Sequence, residues 1–155
     1  MITDLTWDRA AHVARNMRAD DSREVLANSW DDSHQAFAAE CMRLPGPKLA
    51  CVMDDTGEPV AMGGVAVHLP GVGQAWFVGT DKISPYGLEV TRACKQIVDG
   101  LMTEHDIHRV QAFSAAFHTK AHQWLRSIGF VEESTLPAYG RNREDFLIFS
   151  ILKEH

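Results

Sequence analysis

The sequence predicts a mixed α+β domain, with helices packed on a mostly antiparallel sheet, and three observations carry that prediction. Its 155 residues, 45% hydrophobic and 8% aromatic, suit a single domain, residues 1–155, with one core. The hydrophobic period changes near Leu49, from the three-to-four-residue spacing of helices to the short runs and alternation of strands. His118-Thr119-Lys120-Ala121-His122-Gln123-Trp124-Leu125-Arg126-Ser127-Ile128-Gly129-Phe130 then reads as one short amphipathic helix with a hard stop and a strand after it. In that segment Ala121, Trp124, Leu125 and Ile128 share a face, and Gly129 supplies the left-handed residue that ends the helix.

The elements follow in order. A helix is expected from Thr6, a plausible cap, to Arg18, with Ala10, Val13, Ala14 and Met17 as its apolar stripe. A shorter helical piece covers Ser22 to Asn28. Asp32 or Ser33 can cap a third helix, whose Phe37, Cys41 and Leu44 recur on one face until Pro45-Gly46-Pro47 ends it. Leu49 to Met53 and Val60 to His68 form a hairpin about Asp54-Asp55-Thr56-Gly57, and Gln74 to Thr80 adds a third antiparallel strand after Leu69-Pro70-Gly71. The longest helix runs from Leu88 to His105, with Val90, Cys94, Ile97, Val98 and Leu101 facing inward despite Gly100. Arg109 to Ser114 is a strand, the helix described above follows, and Phe130 to Leu136 and Phe146 to Leu152 close the chain as strands.

Charge and cysteine content exclude several classes. A formal charge of -6, from 15 Lys and Arg against 21 Asp and Glu, gives no basic field to hold a phosphate backbone, so no nucleic-acid partner is expected. Cys41, Cys51 and Cys94 are odd in number and far apart, which suits neither a disulfide framework nor a zinc site. The start lacks the basic residues and apolar run of a signal peptide, and no stretch has the length of a membrane span, so a cytoplasmic protein with no membrane partner is expected.

The helix closed by Gly129-Phe130, together with the element order, resembles the GNAT acyl-CoA N-acyltransferase superfamily. There an Asn-x-x-Ala helix carrying a Tyr ends in Gly-Phe and is followed by two long antiparallel strands. His118 stands at the Asn position, Ala121 at the Ala and Leu125 at the Tyr. The resemblance implies a sheet whose central strands, Trp76 to Thr80 and Arg109 to Ser114, run parallel, are joined through the long helix and splay apart at their C-terminal ends. It also implies acetyl-CoA as co-substrate, no metal, and an amine acceptor. Phe77, Val78, Gly79 and Thr80 would offer backbone groups to the pantetheine arm, with His118 and Lys120 beside it. The family's pyrophosphate loop, Gln/Arg-x-x-Gly-x-Gly at the start of the long helix, is reduced here to Asp81-Lys82-Ile83-Ser84-Pro85-Tyr86-Gly87. Gly87, Lys82 and Arg92 are its remaining candidates, and ordinary turn chemistry explains the loop equally well.

For catalysis, Leu125 cannot protonate a leaving thiolate as the family's Tyr does, and His122, one turn beyond His118, is the candidate acid. The two histidines read alternatively as polar residues of a half-exposed helix. Glu24, in the cluster Arg18, Asp20, Asp21 and Glu24, is the candidate base; the alternative for that cluster is a solvated or capping face. Tyr139 either lines the acceptor side or packs on the sheet. A narrower resemblance, to GNAT-like proteins of short-tailed bacteriophages, rests on Arg18, Asp21 and Glu24, on Trp76 to Thr80, on His122 with Trp124-Leu125-Arg126 and Gly129-Phe130, and on Phe146 and Phe149. It implies a phage or prophage source, the cytoplasm of an infected bacterium or the virion as location, and a host protein as amine acceptor. Two functions stand: an acetyltransferase acting on an amine, or the same fold kept as a virion or host-binding protein without turnover.

Overall fold

The computed structural model describes residues 1–154. Its elements are β1 (Ile2–Asp4), α1 (Trp7–Arg15), α2 (Ala19–Ala27), α3 (His34–Arg43), β2 (Lys48–Val52), β3 (Pro59–Leu69), β4 (Val72–Gly79), a 3-10 turn (Ser84–Tyr86), α4 (Gly87–Glu104), β5 (Arg109–Ala115), α5 (Thr119–Ile128), β6 (Val131–Leu136) and β7 (Phe146–Leu152). One seven-stranded sheet runs in the order β1-β2-β3-β4-β5-β7-β6. Every neighbouring pair is antiparallel except β4 and β5, which are parallel and joined through α4.

Strand alternation divides the core into two layers. On one face Ala10, Val13 and Ala14 of α1 and Ala38 and Cys41 of α3 pack on Ala50, Met62 and Val78. On the other, Val98, Leu101 and Met102 of α4 and Leu125 and Ile128 of α5 cover Val65, Val110, Ala112 and Phe149. The caps explain where the helices start and stop. Thr6 and Ser33 accept the backbone N–H of Arg9 and Ala36 through their hydroxyls. Gly129, at φ 119°, closes α5: its N–H reaches the Arg126 carbonyl at 3.1 Å and the Phe130 N–H reaches that of Leu125 at 3.0 Å. This is a Schellman arrangement, with Phe130 and Leu125 meeting in the same core.

Three expectations are corrected. The edge strand β1 was not foreseen, because three residues carry no readable period. The first helix ends at Arg15, not Arg18, since Asn16 turns out and Met17 bridges to Thr80. The second helix begins at Ala19 rather than Ser22; its cap residue, Arg18, makes no side-chain capping bond that could have marked the start.

The expected divergence of the central strands is present. β4 and β5 pair only through Val72–Arg109, Gly73–Val110 and Gln74–Gln111, and then separate. Two glycines test these helices in opposite directions. A Cβ at Gly100, inside α4, meets nothing within 4 Å, so Gly100→Ala should raise stability by about 0.5–1 kcal/mol through lost chain entropy. Gly129→Ala must force an L-residue to positive φ and should cost about 1–2 kcal/mol. Urea unfolding of the two variants checks both signs.

Candidate functional site

The separation of β4 from β5 opens a cavity of about 610 Å³ that runs between the two layers. Which backbone groups face it follows from alternation. The N–H of Arg109 donates to Gly71 across the parallel pair, whereas the N–H of Thr80 donates to Val60 on β3. Odd residues of β4 therefore direct their N–H and C=O toward β5, and even residues toward β3. Val78 and Thr80 consequently offer nothing to the cleft, contrary to expectation. Gly79 is also taken: its N–H donates to Asp21 Oδ2 at 2.8 Å and its C=O accepts from the Arg18 N–H at 2.9 Å. Of the four strand residues expected to present backbone, Phe77 is the one that lines the cavity with both groups turned into the splay.

A charged cluster closes one wall. Asp21 is 2% exposed. Its Oδ2 receives Arg18 Nε and a second Arg18 guanidinium nitrogen, both at 2.9 Å, and its Oδ1 lies 3.3 Å from His118 Nε2. Glu24 accepts the Ala115 N–H on one oxygen and stands 3.3 Å from His118 Nδ1 with the other. Each ring nitrogen of His118 thus meets a carboxylate. Arg18, Asp21, Glu24, His118 and Lys120 all line the cavity. The reading of this cluster as a solvated face holds for Asp20, which is exposed, and fails for Asp21.

His122, expected as the acid, lies elsewhere. Its imidazole is buried, 2.9 Å from the Ala115 carbonyl through Nε2 and tilted against Phe149 with ring centroids 5.3 Å apart, and it does not line the cavity. The reason is local: His118 is the cap of α5 and not a helical residue, so the i, i+4 spacing does not put the two rings on one face. Lys82 is drawn to Glu58, 2.9 Å away, and Arg92 projects from the exposed side of α4; neither lines the cleft. Gly87 does, at the N-terminus of α4. Glu89, in the first turn of that helix, holds a negative charge where an anion would otherwise be favoured. Tyr139 packs edge-on against Phe113 and Phe146, which supports its reading as a loop aromatic on the sheet.

Sequence reasoning missed several cavity residues. Trp124 meets Phe77 ring to ring at 4.6 Å, and Ala112 adds apolar wall beside Leu125, which the resemblance had already placed there. Cys94 is also there, but burial pushes its thiol up to about 11, which keeps it protonated and unsuited to nucleophilic attack. Trp76 Nε1 and Ser114 Oγ, both on cavity-lining residues, are buried without a hydrogen-bond partner among the described residues. Among those residues no cluster of three or more His, Cys, Asp or Glu is placed to hold a metal, and no helix is long and apolar enough to cross a membrane.

The two histidines differ in charge preference. Burial disfavours the His118 imidazolium, but the hydrogen bond and charge of Glu24 and the charges of Asp21 and Asp20 outweigh it, and the pKa lies above the ordinary 6.5. Burial dominates at His122, helped by the charges of His118 and Arg126 and opposed by the Ala115 carbonyl and Glu24, and its pKa lies below 6.5. Protonated His118 therefore adds stability that is full below pH 6.5 and lost as pH rises through its higher folded value. Neutral His122 adds stability that is present above pH 6.5 and lost as pH falls through its lower folded value. His118→Gln should cost more at pH 6 than at pH 9, and His122→Gln more at pH 8 than at pH 5. Urea titrations giving pH-independent differences would contradict both assignments.

No family model and no curated protein matches the sequence. Solved structures do match over nearly the whole chain. An acetyltransferase of the GNAT family from Bacillus anthracis superposes with a TM-score of 0.75 at 14% identity, covering 99% of this chain and 95% of its own. Ard1 from Thermoplasma volcanium gives 0.77 at 13% identity, with 100% and 98% covered. The ribosomal-protein-S18-alanine N-acetyltransferase from Escherichia coli gives 0.72 at 18% identity, with 100% and 94% covered. With its splayed parallel pair and flanking helices, the chain has the GNAT acyltransferase fold.

Proposed function

We propose that this chain is an acyl-CoA-dependent N-acetyltransferase acting on an amine. The observation that carries the reading is the cleft itself, where strands part after three residue pairs and expose the Phe77 backbone beside the buried carboxylate of Asp21 and the half-buried one of Glu24. Phe77 would hold the amides of the pantetheine arm, with Trp124 against it and Lys120 and the α4 N-terminus at Gly87 toward the phosphates. The thioester supplies the activated acyl group. Lys82 is committed to Glu58 and Glu89 sits in the first turn of α4, so the phosphate end is poorly furnished and affinity should be modest.

Glu24 faces the cleft with His118 behind it. In this reading Glu24 draws the cationic amine, takes its proton on the oxygen nearest His118, and passes it to Nδ1 when the ring is neutral. The sequence resemblance to short-tailed phage proteins supports a phage setting and a host protein as the acceptor.

Heat unfolding tests binding first: acetyl-CoA at a hundred times its dissociation constant should stabilise the native state by about 2.7 kcal/mol. Turnover follows. kcat/KM should rise with pH through a value above 6.5, and Glu24→Gln should lower kcat about 100-fold and move that inflection downward, because the carboxylate that raises His118 is gone. An unchanged inflection would remove Glu24 and His118 from the proton path. The second reading, a fold kept without turnover, is favoured by Leu125 at the Tyr position and by the single glycine at the start of α4. It is supported instead if acetyl-CoA leaves the melting temperature unmoved and no amine or host lysate is acetylated, as read by mass spectrometry.

A further inference from the structure

Ser114 has no part in the chemistry assigned so far, and its surroundings give it one. Its hydroxyl is buried, with the residue 2% exposed, and it lacks a hydrogen-bond partner among the described residues. Ordinarily such a group is paired, and leaving it unpaired works against folding, so an orphan of this kind calls for a reason. Ser114 stands on β5 three residues past Gln111, the last residue paired with β4, and so lies within the splay. Alternation places it on the face of Val110 and Ala112, which is the face that packs against Leu125 of α5. Ser114 and Leu125 line the same cavity. The chain thus carries an apolar residue at the helical position where a hydroxyl was expected, and an unused hydroxyl on the neighbouring strand.

We propose that Ser114 is a catalytic residue, donating a hydrogen bond to the departing sulfur of the thioester; this rests on the acetyltransferase reading above. As the bond between amine nitrogen and acyl carbon forms, the carbon–sulfur bond breaks and its electron pair moves to sulfur. The amine proton leaves toward Glu24. Ser114 keeps its own proton, since an aliphatic hydroxyl is a far weaker acid than a thiol, and stabilises the thiolate by charge-assisted hydrogen bonding until solvent protonates it.

The test compares wild type with Ser114→Ala, which removes one atom and relieves an unpaired hydroxyl, so the free variant should melt at the same temperature or higher. Three readouts follow. Bound CoA, titrated by thiolate absorbance, should ionise about one pH unit higher in the variant. kcat for acetyl transfer should fall about tenfold with KM for the amine unchanged. Leu125→Tyr placed on the Ser114→Ala background should recover part of the loss by returning a hydroxyl to the same wall. If CoA binds and its thiol ionises at the same pH in both proteins, the role of Ser114 is rejected while the acetyltransferase reading stands. If neither CoA nor acetyl-CoA binds wild type, the reading fails and takes this inference with it.

Discussion

The buried carboxylate of Asp21 is the interaction on which the site depends. An isolated charge at 2% exposure would cost several kcal/mol, and here it is met by the Arg18 guanidinium, the Gly79 N–H and His118. Each partner belongs to a different part of the chain: Arg18 to the junction of α1 and α2, Gly79 to the end of β4, and His118 to the cap of α5. Where β4 loses β5 as a partner, its backbone groups need other acceptors and donors. Asp21 and the Arg18 backbone satisfy them at Gly79, so the strand can end in the interior and the cleft can stay open beside it.

The same cluster sets the charge of the cleft. Within the contacting set of Arg18, Asp21, Glu24 and His118, protonated His118 makes the positive and negative charges equal. Loss of the His118 proton leaves one negative charge in excess, on the side where Glu24 is reachable. An ammonium group is then attracted to the carboxylate next to which a neutral imidazole can receive a proton. Geometry and charge point the same way, since Glu24 is held by the Ala115 N–H and cannot turn from the cavity without breaking that bond.

Much of the architecture was legible in the residues because each layer is written in period and punctuation. The stripe Ala10, Val13, Ala14 with Thr6 before it, the turn at Asp54-Asp55-Thr56-Gly57, and Gly129 with Phe130 all express local rules that the packed protein keeps. The site was less legible. Spacing along a helix cannot separate His118 from His122 when one of them is a cap, and composition cannot tell that Asp21 is buried while Asp20, its neighbour, is exposed. Those distinctions arise from which group reaches Gly79 and Ala115, residues 58 and 91 positions distant from Asp21 and Glu24. Ser114 was invisible for a related reason: nothing in Phe113-Ser114-Ala115 marks a hydroxyl that the folded chain leaves without a partner.

The short junction between β4 and β5 has a mechanical meaning. β1 to β4 with α1 and α3 form one lamina, β5, β7 and β6 with α5 another, and the backbone seam between them is the three pairs from Val72–Arg109 to Gln74–Gln111. Packed interiors resist compression; the core under α1 and α3 lies within the first lamina, whereas the core under α4 and α5 crosses the seam, joining Val65 of β3 to Val110 of β5 and Phe149 of β7. The width of the opening is therefore set at the closed end of the sheet, by the three-pair seam and the core packed across it, and not by the side chains at its mouth alone.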